Sequence, residues 1–393
     1  MTLMLASVTG AAEAEAVLAG GVDIVDLKDP ARGALGALDV EVVADLVRTV
    51  AKRRPVSATI GDELAEPQIV VDAVSAMAAT GVDYVKVGVK SDATGADCVR
   101  ALGSLASNAK LVGVLFADGE PDLDLLKLMA KQGFVGAMLD TAIKGDRRLL
   151  DHMDVASLVG FVERCKEAGL MSGLAGSLEA PDVPRLLPLQ PNYLGFRGAL
   201  CRGRSRVAEI DPAAVRIIRD LIPREANGVR AAGEPTVDWR LLLGRGYVPA
   251  SERGAETDRV FVHDLVMPCS IGAYDFERGL KQDVRFNIDV DVRRLQHHSD
   301  DMRYIFSYDL IVDAIKIILG RGHIDLIETL ARDIADSVLH HPCVAQVSVR
   351  VEKLDVIRGQ VGVEIKRERA AESLAVEKLF LSEPGAASTT RSR

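Results

Sequence analysis

The chain has 393 residues, of which 48% are hydrophobic and 27% charged, and a formal net charge of −9. That length is too great for one ordinary core, so two domains are expected, and the acidic balance excludes a general attraction to nucleic acid or to an anionic membrane surface. No apolar run approaches the roughly 20 residues needed to span a bilayer, and the opening "MTLMLASVTGAAEAEA" lacks the basic residues of a signal peptide.

From residue 3 to about residue 222, short Val/Ile/Leu/Ala runs alternate with Ala-rich stretches of helical period. Eight strands are predicted: "LMLASV" (3–8), "VDIVDL" (22–27), "VSATI" (56–60), "DYVKVG" (83–88), "KLVGVLF" (110–116), "VGAMLD" (135–140), "GLMSGLA" (169–175) and "YLGFRG" (193–198). Stretches such as "DVEVVADLVRTVAKR" and "EPQIVVDAVSAMAATG" predict helices between them. Eight strand–helix units over residues 1–222 predict an α/β architecture, a (β/α)8 TIM-type barrel. A doubly wound open sheet is the alternative; it would carry fewer strands and a Gly-rich first turn, absent here.

Residues 223–258 read as a linker, with "PREANGVRAAGEP" and "PASERGAETD" around an apolar island that holds Trp239. The period then changes. "RVFVHDLVMP", "QDVRFNIDVDV", "VAQVSVRVEK" and "QVGVEIKRE" alternate as strands. Between the second and third of them, "SYDLIVDAIKIILGRG" and "IDLIETLARDIADSVLHH" predict two helices. This ββααββ unit, residues 259–369, is expected to be an α+β domain whose paired helices cover one face of an antiparallel sheet. Residues 370–393 have the composition of a disordered tail.

In a barrel of this kind, catalytic groups stand at the C-terminal strand ends and in the loops that follow. Lys28 directly follows the second strand, in "VDIVDLKDPARGALGA". A lysine there is either solvated at the rim or held in a pocket as an amine nucleophile. Lys86 lies inside the fourth strand, where a lysine cannot serve as core filler; Asp140 ends the sixth strand, and Lys144 follows in "LDTAIKGD". Ammonium groups gathered at one mouth depress one another's pKa, which suits one as nucleophile toward a carbonyl and another as base, with Asp140 as compensating charge and proton shuttle. "GLAGSLEAPD" and "GFRGALCRGR" follow strands seven and eight, where loops with free N–H groups form a phosphate site; the candidates are Gly176, Ser177, Gly198 and Ala199. A phosphorylated carbonyl substrate is expected.

The segments "DLKDPARGALGA", "DYVKVGV", "LDTAIKG", "GLAGSL" and "FRGALC" resemble the (5-formylfuran-3-yl)methyl phosphate synthases across residues 1–222. The resemblance implies a barrel lyase that condenses two molecules of glyceraldehyde 3-phosphate, with loss of phosphate and water, and needs no cofactor. It implies Lys28 as the Schiff-base lysine and Lys86 as the proton acceptor, assisted by Asp140 and Lys144. Another Schiff-base sugar-phosphate aldolase, or a barrel that binds a metabolite without turnover, is the alternative.

In the tail domain, Glu277, Tyr308 and Glu328 read singly as a turn residue, a helix-start aromatic and part of a solvated face. Yet Glu328 beside Ile327 opens a helix, a good place for a planar amidine-like ligand, and Lys353 ends a strand, where it can act as acid or base. Their order and spacing resemble dihydroneopterin aldolase over residues 259–369. The resemblance implies a tunnelling fold, homo-oligomers joined through edge strands, and cleavage of 7,8-dihydroneopterin to a hydroxymethyl pterin and glycolaldehyde with neither metal nor Schiff base. It implies that Ile327 and Glu328 hold the pterin, that Glu277 binds its diol side chain or a water, and that Tyr308 and Lys353 handle protons. Leu354 stands where family members usually carry proline, and an epimerase or a pterin-binding module is the alternative. Furan- and pterin-type carriers serve one pathway in organisms that use tetrahydromethanopterin-like coenzymes, so the two resemblances together imply a fused pair of coenzyme-biosynthesis enzymes.

The five cysteines (Cys98, Cys165, Cys201, Cys269 and Cys343) are scattered and lack CxxC spacing. They predict reduced, mostly buried thiols of a cytoplasmic protein and no metal site. His297 and His298, and His340 and His341, are adjacent pairs whose members point to different faces; loop and cap roles are expected for them, and a cap role for His323.

Overall fold

The structure is a computed structural model that describes residues 1–62, 66–143, 147–223, 256–274, 277–294, 305–356 and 361–369. The described residues form two compact units, one around an eight-stranded sheet and one around a four-stranded sheet.

In the first unit, strands β1 (Leu3–Val8), β2 (Ile24–Leu27), β3 (Val56–Thr59), β4 (Tyr84–Gly88), β5 (Leu111–Phe116), β6 (Gly136–Asp140), β7 (Met171–Leu174) and β8 (Tyr193–Phe196) close in chain order into a parallel barrel. Every strand lies within two residues of the run that predicts it. The reason is burial on both faces. Strands covered by helices outside and packed together inside need apolar residues at consecutive positions, and β2, β3, β6 and β8 are buried along their whole length.

Helices α1 (Ala11–Ala19), α2 (Val40–Val50), α3 (Pro67–Ala78), α4 (Ala93–Leu102) and α5 (Leu125–Lys131) follow the first five strands. Then come α6 (Leu149–His152), α7 (Val155–Glu167), α8 (Asp182–Leu186) and α9 (Pro212–Asp220). α2 illustrates how they dock: Val43, Leu46 and Val50, at helical spacing, are its buried stripe. Leu5, Ile24, Val112, Val114, Met138 and Tyr193 pack together within the barrel.

Two buried arginines fasten the last quarter of the barrel to the first. Arg197, just after β8, is ion-paired with Glu13 of α1 at 2.6 Å, and Arg219 of α9 is ion-paired with Asp23 ahead of β2.

In the second unit, β9 (Thr257–Cys269), β10 (Gln282–Arg293), β11 (Val344–Lys353) and β12 (Val361–Glu368) form an antiparallel sheet in the order β12-β11-β10-β9. Helices α10 (Tyr308–Leu319) and α11 (Ile327–Leu339) lie between β10 and β11 in the chain. β10 shows the period-two alternation that the sequence predicts: Val284, Phe286, Ile288 and Val290 are all fully buried. Leu330, Ile334 and Val338 of α11 are buried, and that helix packs on β11 and β12. Trp239 with the rest of residues 224–255, Lys144, His297 and His298, and residues 370–393 lie outside the described residues, and β9 takes the last two positions, 257 and 258, of the expected linker.

Among the described residues, no helix is long and apolar enough to cross a membrane.

Candidate functional site

A cavity of about 580 Å³ opens at the C-terminal ends of the barrel strands. Its lining carries six cationic side chains (Lys28, Lys86, Arg148, Arg197, Arg204, Arg206) against three carboxylates (Asp26, Asp140, Glu179). That local excess of positive charge gives an acidic protein an attractive site for anions.

Lys28 is set by the turn that follows it. Asp29 Oδ1 accepts the N–H of Ala31 at 2.9 Å and caps the short helical turn Pro30–Arg32. The chain then doubles back, so that the Asp29 N–H meets the Gly36 carbonyl at 2.8 Å. A Cβ at Gly36 would sit 2.3 Å from the Asp29 carbonyl oxygen, so only glycine allows that approach. The returning loop brings the Ala34 carbonyl to 3.3 Å from Lys28 Nζ. The amine is thus a buried group, 7% exposed, with Asp140 Oδ2 at 3.7 Å. Of the two readings that the sequence leaves open for Lys28, the solvated rim does not describe it.

Lys86 points into the barrel from β4, 2% exposed, and its Nζ lies 2.6 Å from Asp26 Oδ1. Asp26 is fully buried and also accepts the hydroxyls of Ser7 at 2.8 Å and Ser57 at 2.6 Å. Burial acts to raise the Asp26 carboxyl, but the charges of Lys86 and Lys28, with the Lys86 and Ser57 hydrogen bonds, outweigh it and hold the group below the usual carboxylate range. Burial lowers Lys86 below an ordinary lysine; Asp26 opposes this and the Lys28 charge adds to it. The Lys28 charge thus adds to the lowering of Lys86, with burial as the larger cause. Lys144 lies outside the described residues.

The phosphate-site candidates line the same cavity. Gly176 and Ser177 both have positive φ, 116° and 49°, which bends the main chain sharply after β7. A Cβ at Gly176 would meet the Thr141 side chain at 2.9 Å. Gly198 and Ala199 begin a short helical turn, Gly198–Leu200, after β8. Cys201 beside it is a buried thiol, as are the other four cysteines.

Sequence reasoning missed Asp26 and the arginines at 148, 197, 204 and 206. The signal for Asp26 was in the chain: an acid within an apolar strand and a lysine within another are each hard to bury alone and easy to bury as a pair.

In the tail unit, Glu277 and Lys353 meet, with Nζ 2.9 Å from Oε1. Glu277 Oε1 also accepts Gln282 Nε2 at 2.8 Å, and Oε2 accepts the Tyr274 N–H at 3.0 Å. The Lys353 hydrogen bond, followed by those of Tyr274 and Gln282, holds the Glu277 carboxyl down to about 2. Glu277 is buried and does more than fill a turn. Tyr308 opens α10 and is 61% exposed; Ile327 and Glu328 open α11, with Glu328 exposed. The Leu354 N–H donates to the Asp283 carbonyl at 3.0 Å, a bond that proline could not make, so β11 stays tied to the start of β10 beyond Lys353.

His323 does not cap a helix. One ring nitrogen faces Ser270 Oγ at 3.0 Å and the other the Gly272 carbonyl at 2.8 Å, so the ring ties the α10–α11 connection to the loop after β9. His340 does take a cap position, at the C-terminus of α11. Among the described residues, no group of three His, Cys, Asp or Glu is arranged to hold a metal ion.

Gly272, at φ 145°, packs against the Glu277 carboxyl, where an added Cβ would come within 2.1 Å of Cδ. Gly272→Ala is therefore expected to push Glu277 off Lys353 and to destabilise the tail by about 1–3 kcal/mol through strain and overpacking. Thermal unfolding of the variant checks this; an unchanged transition would contradict it.

A family model for 4-HFC-P synthase matches residues 4–219, and one for dihydroneopterin aldolase matches residues 260–366. A Methylorubrum extorquens protein, provisionally named a (5-formylfuran-3-yl)methyl phosphate synthase, is 44% identical over 214 residues, 54% of this chain and 88% of its own. The (5-formylfuran-3-yl)methyl phosphate synthase of Methanopyrus kandleri is 34% identical over 215 residues, 52% of this chain and 91% of its own. Among solved structures, a dihydroneopterin aldolase from Burkholderia thailendensis bound to guanine shares 32% identity over 29% of this chain and 93% of that one, with a TM-score of 0.27. A match through all eight strands of the barrel, with relatives covered almost end to end, carries the conclusion: the chain belongs to the 4-HFC-P synthase family of enzymes, and a region matching dihydroneopterin aldolase follows its barrel.

Proposed function

We propose that the barrel condenses two molecules of glyceraldehyde 3-phosphate into (5-formylfuran-3-yl)methyl phosphate through a Schiff base on Lys28. The observation that carries this reading is a buried amine, Lys28, sharing one cavity with a second lysine of lowered pKa, Lys86, and with Asp140. The Lys28 amine adds to the aldehyde carbon of one triose, and water leaves to give an iminium. The iminium acidifies the proton on the next carbon, which Lys86, its pKa lowered by burial, accepts once it has given up its own. Asp26 steadies the lysinium that forms, and Asp140 and Lys144 assist. The enamine then supplies the electrons for elimination and carbon–carbon bond formation. Two trioses give one furan phosphate, one phosphate and two waters, with no net oxidation. Gly176, Ser177, Gly198 and Ala199 hold the phosphate that the product retains.

For the tail, the reading is a dihydroneopterin aldolase that forms 6-hydroxymethyl-7,8-dihydropterin and glycolaldehyde. Glu328 and Ile327 take the pterin ring, Glu277 its side chain or a water, and Lys353 and Tyr308 move protons. Support comes from the Glu277–Lys353 ion pair, which sets an acid and a base beside each other. The sheet's edge strands β9 and β12 are the surfaces through which copies of the chain join.

The test is product analysis on the full chain. Glyceraldehyde 3-phosphate alone should yield furan absorbance and free phosphate; an open-chain sugar phosphate would point to an ordinary aldolase instead. With 7,8-dihydroneopterin, glycolaldehyde should appear. Glu328→Ala should weaken pterin binding by at least about tenfold through loss of charge-assisted hydrogen bonds. Lys353→Ala should leave binding intact and stop cleavage. Binding without glycolaldehyde or an epimer would make the tail a pterin-binding module, and no binding would remove Glu328 from the site.

A further inference from the structure

Three arginines that line the barrel cavity are committed to carboxylates: Arg148 to Asp182 at 3.1 Å, Arg197 to Glu13 at 2.6 Å, and Arg204 to Glu179 at 3.1 Å. Arg206 differs. Among the described residues its guanidinium makes one hydrogen bond, from Nη2 to the Gly33 carbonyl at 2.8 Å, and no ion pair. It is half-buried, and burial lowers its pKa, with Asp140 and Asp62 opposing. A guanidinium in a cavity with most of its donors unspent is a ready partner for a phosphate, which it can hold through two parallel hydrogen bonds.

Its anchor specifies which phosphate. The carbonyl next to Gly33 in the chain, that of Ala34, holds the Lys28 amine at 3.3 Å. Consecutive carbonyls of one loop thus place the amine and the guanidinium at the same edge of the cavity. A triose held by its aldehyde carbon on Lys28 carries its phosphate only two carbons away.

We propose that Arg206 is a second phosphate site, which binds the phosphate of the triose attached to Lys28 and stabilises it as it leaves. The proposal rests on the synthase reading above. The base takes the proton from C2, leaving the C1=C2 enamine. The nitrogen lone pair then drives β-elimination: the C3–O bond breaks, its electron pair departs with the phosphate, and a C2=C3 double bond conjugated to the iminium remains. Charge builds on the departing oxygens, where a guanidinium stabilises the transition state more than the ground state.

The experiment compares full-length wild type, Arg206→Gln and Arg206→Lys. It measures furan formation, inhibition by inorganic phosphate, and borohydride trapping with glyceraldehyde 3-phosphate and with unphosphorylated glyceraldehyde. Arg206→Gln should trap glyceraldehyde as wild type does, lose about tenfold or more of its preference for the phosphorylated aldehyde, and make furan about 100-fold more slowly. Its inhibition constant for inorganic phosphate should rise by about tenfold, with partial recovery in Arg206→Lys. Furan formation and phosphate inhibition within threefold of wild type would overturn the proposal. So would an equal loss of trapping for both aldehydes, since that marks a displaced loop. A wild-type protein that makes no furan, yet loses phosphate binding on Arg206→Gln, would remove the synthase reading and keep Arg206 as an anion site.

Discussion

Lys28→Ala is expected to lower furan formation by at least about a thousandfold and to abolish borohydride trapping, because the amine that forms the imine is removed. Lys28→Arg supplies the control. It keeps a cation beside Asp140, which neighbours Lys28 in the wild type, but a guanidinium is too weak a nucleophile to attack an aldehyde. Both variants should be equally inactive if the amine's role is covalent. If the cation's role were only to bind phosphate or balance Asp140, Lys28→Arg would keep much of the activity. Mass spectrometry of the trapped wild type should place the adduct on the peptide containing Lys28. An adduct on the Lys86 peptide would reverse the roles of the two lysines.

Asp26→Ala is expected to lower stability by about 3–5 kcal/mol near neutral pH, since it leaves the Lys86 ammonium buried without its partner. The sign of the pH dependence follows. Burial already lowers Lys86, and without Asp26 its folded-state pKa falls further below the unfolded value near about 10.4. Between those two values the unfolded chain binds a proton that the folded chain lacks, so stability rises with pH across the window. The deficit should be larger at about pH 6 than at about pH 9. Asp26 itself works in the opposite range: its depressed pKa contributes stability above about 3.9 that is lost as pH falls through the folded value. Denaturant unfolding of wild type, Asp26→Ala, Lys86→Met and the double variant at both pH values measures the coupling. Additive losses would mean that the two charges do not stabilise each other. Activity should fall as well, because a lysine freed from Asp26 is no longer aimed at the cavity.

The barrel was legible because strands buried on both faces must be apolar at every position, and that leaves unbroken Val/Ile/Leu runs between polar turns. Lys86 stood out for the same reason. The partner of Lys86 was less legible. Asp26 and Lys86 lie on strands that do not adjoin, β2 and β4, and a chain read in one dimension carries no signal for which inward positions meet across a closed sheet. Arg206 was hidden differently: a charged residue in a loop of arginines, "CRGRSR", is usually solvated, and only the fold sets it against Gly33. In the tail, the β10 alternation predicted the core face directly, whereas Glu277 and Lys353 are 76 residues apart and were joined only by resemblance. His323 was misread because a polar residue between two helices suggests a cap; its bonds run instead to the neighbouring strand connection.

Pairing of β1 with β8 also orders the birth of the protein on the ribosome. The Arg197–Glu13 and Arg219–Asp23 bonds span 184 and 196 residues, so the barrel cannot close until β8 and α9 have been made. At ordinary rates of synthesis that leaves the edge of β1 uncovered for roughly 10–40 seconds. Exposed parallel edges are sticky, and a nascent chain has to be shielded over that interval. The stretch 223–256 is translated next, before the open-edged β9. Translation order thus lets one set of strands seal itself before the other, an open four-stranded sheet, begins to emerge.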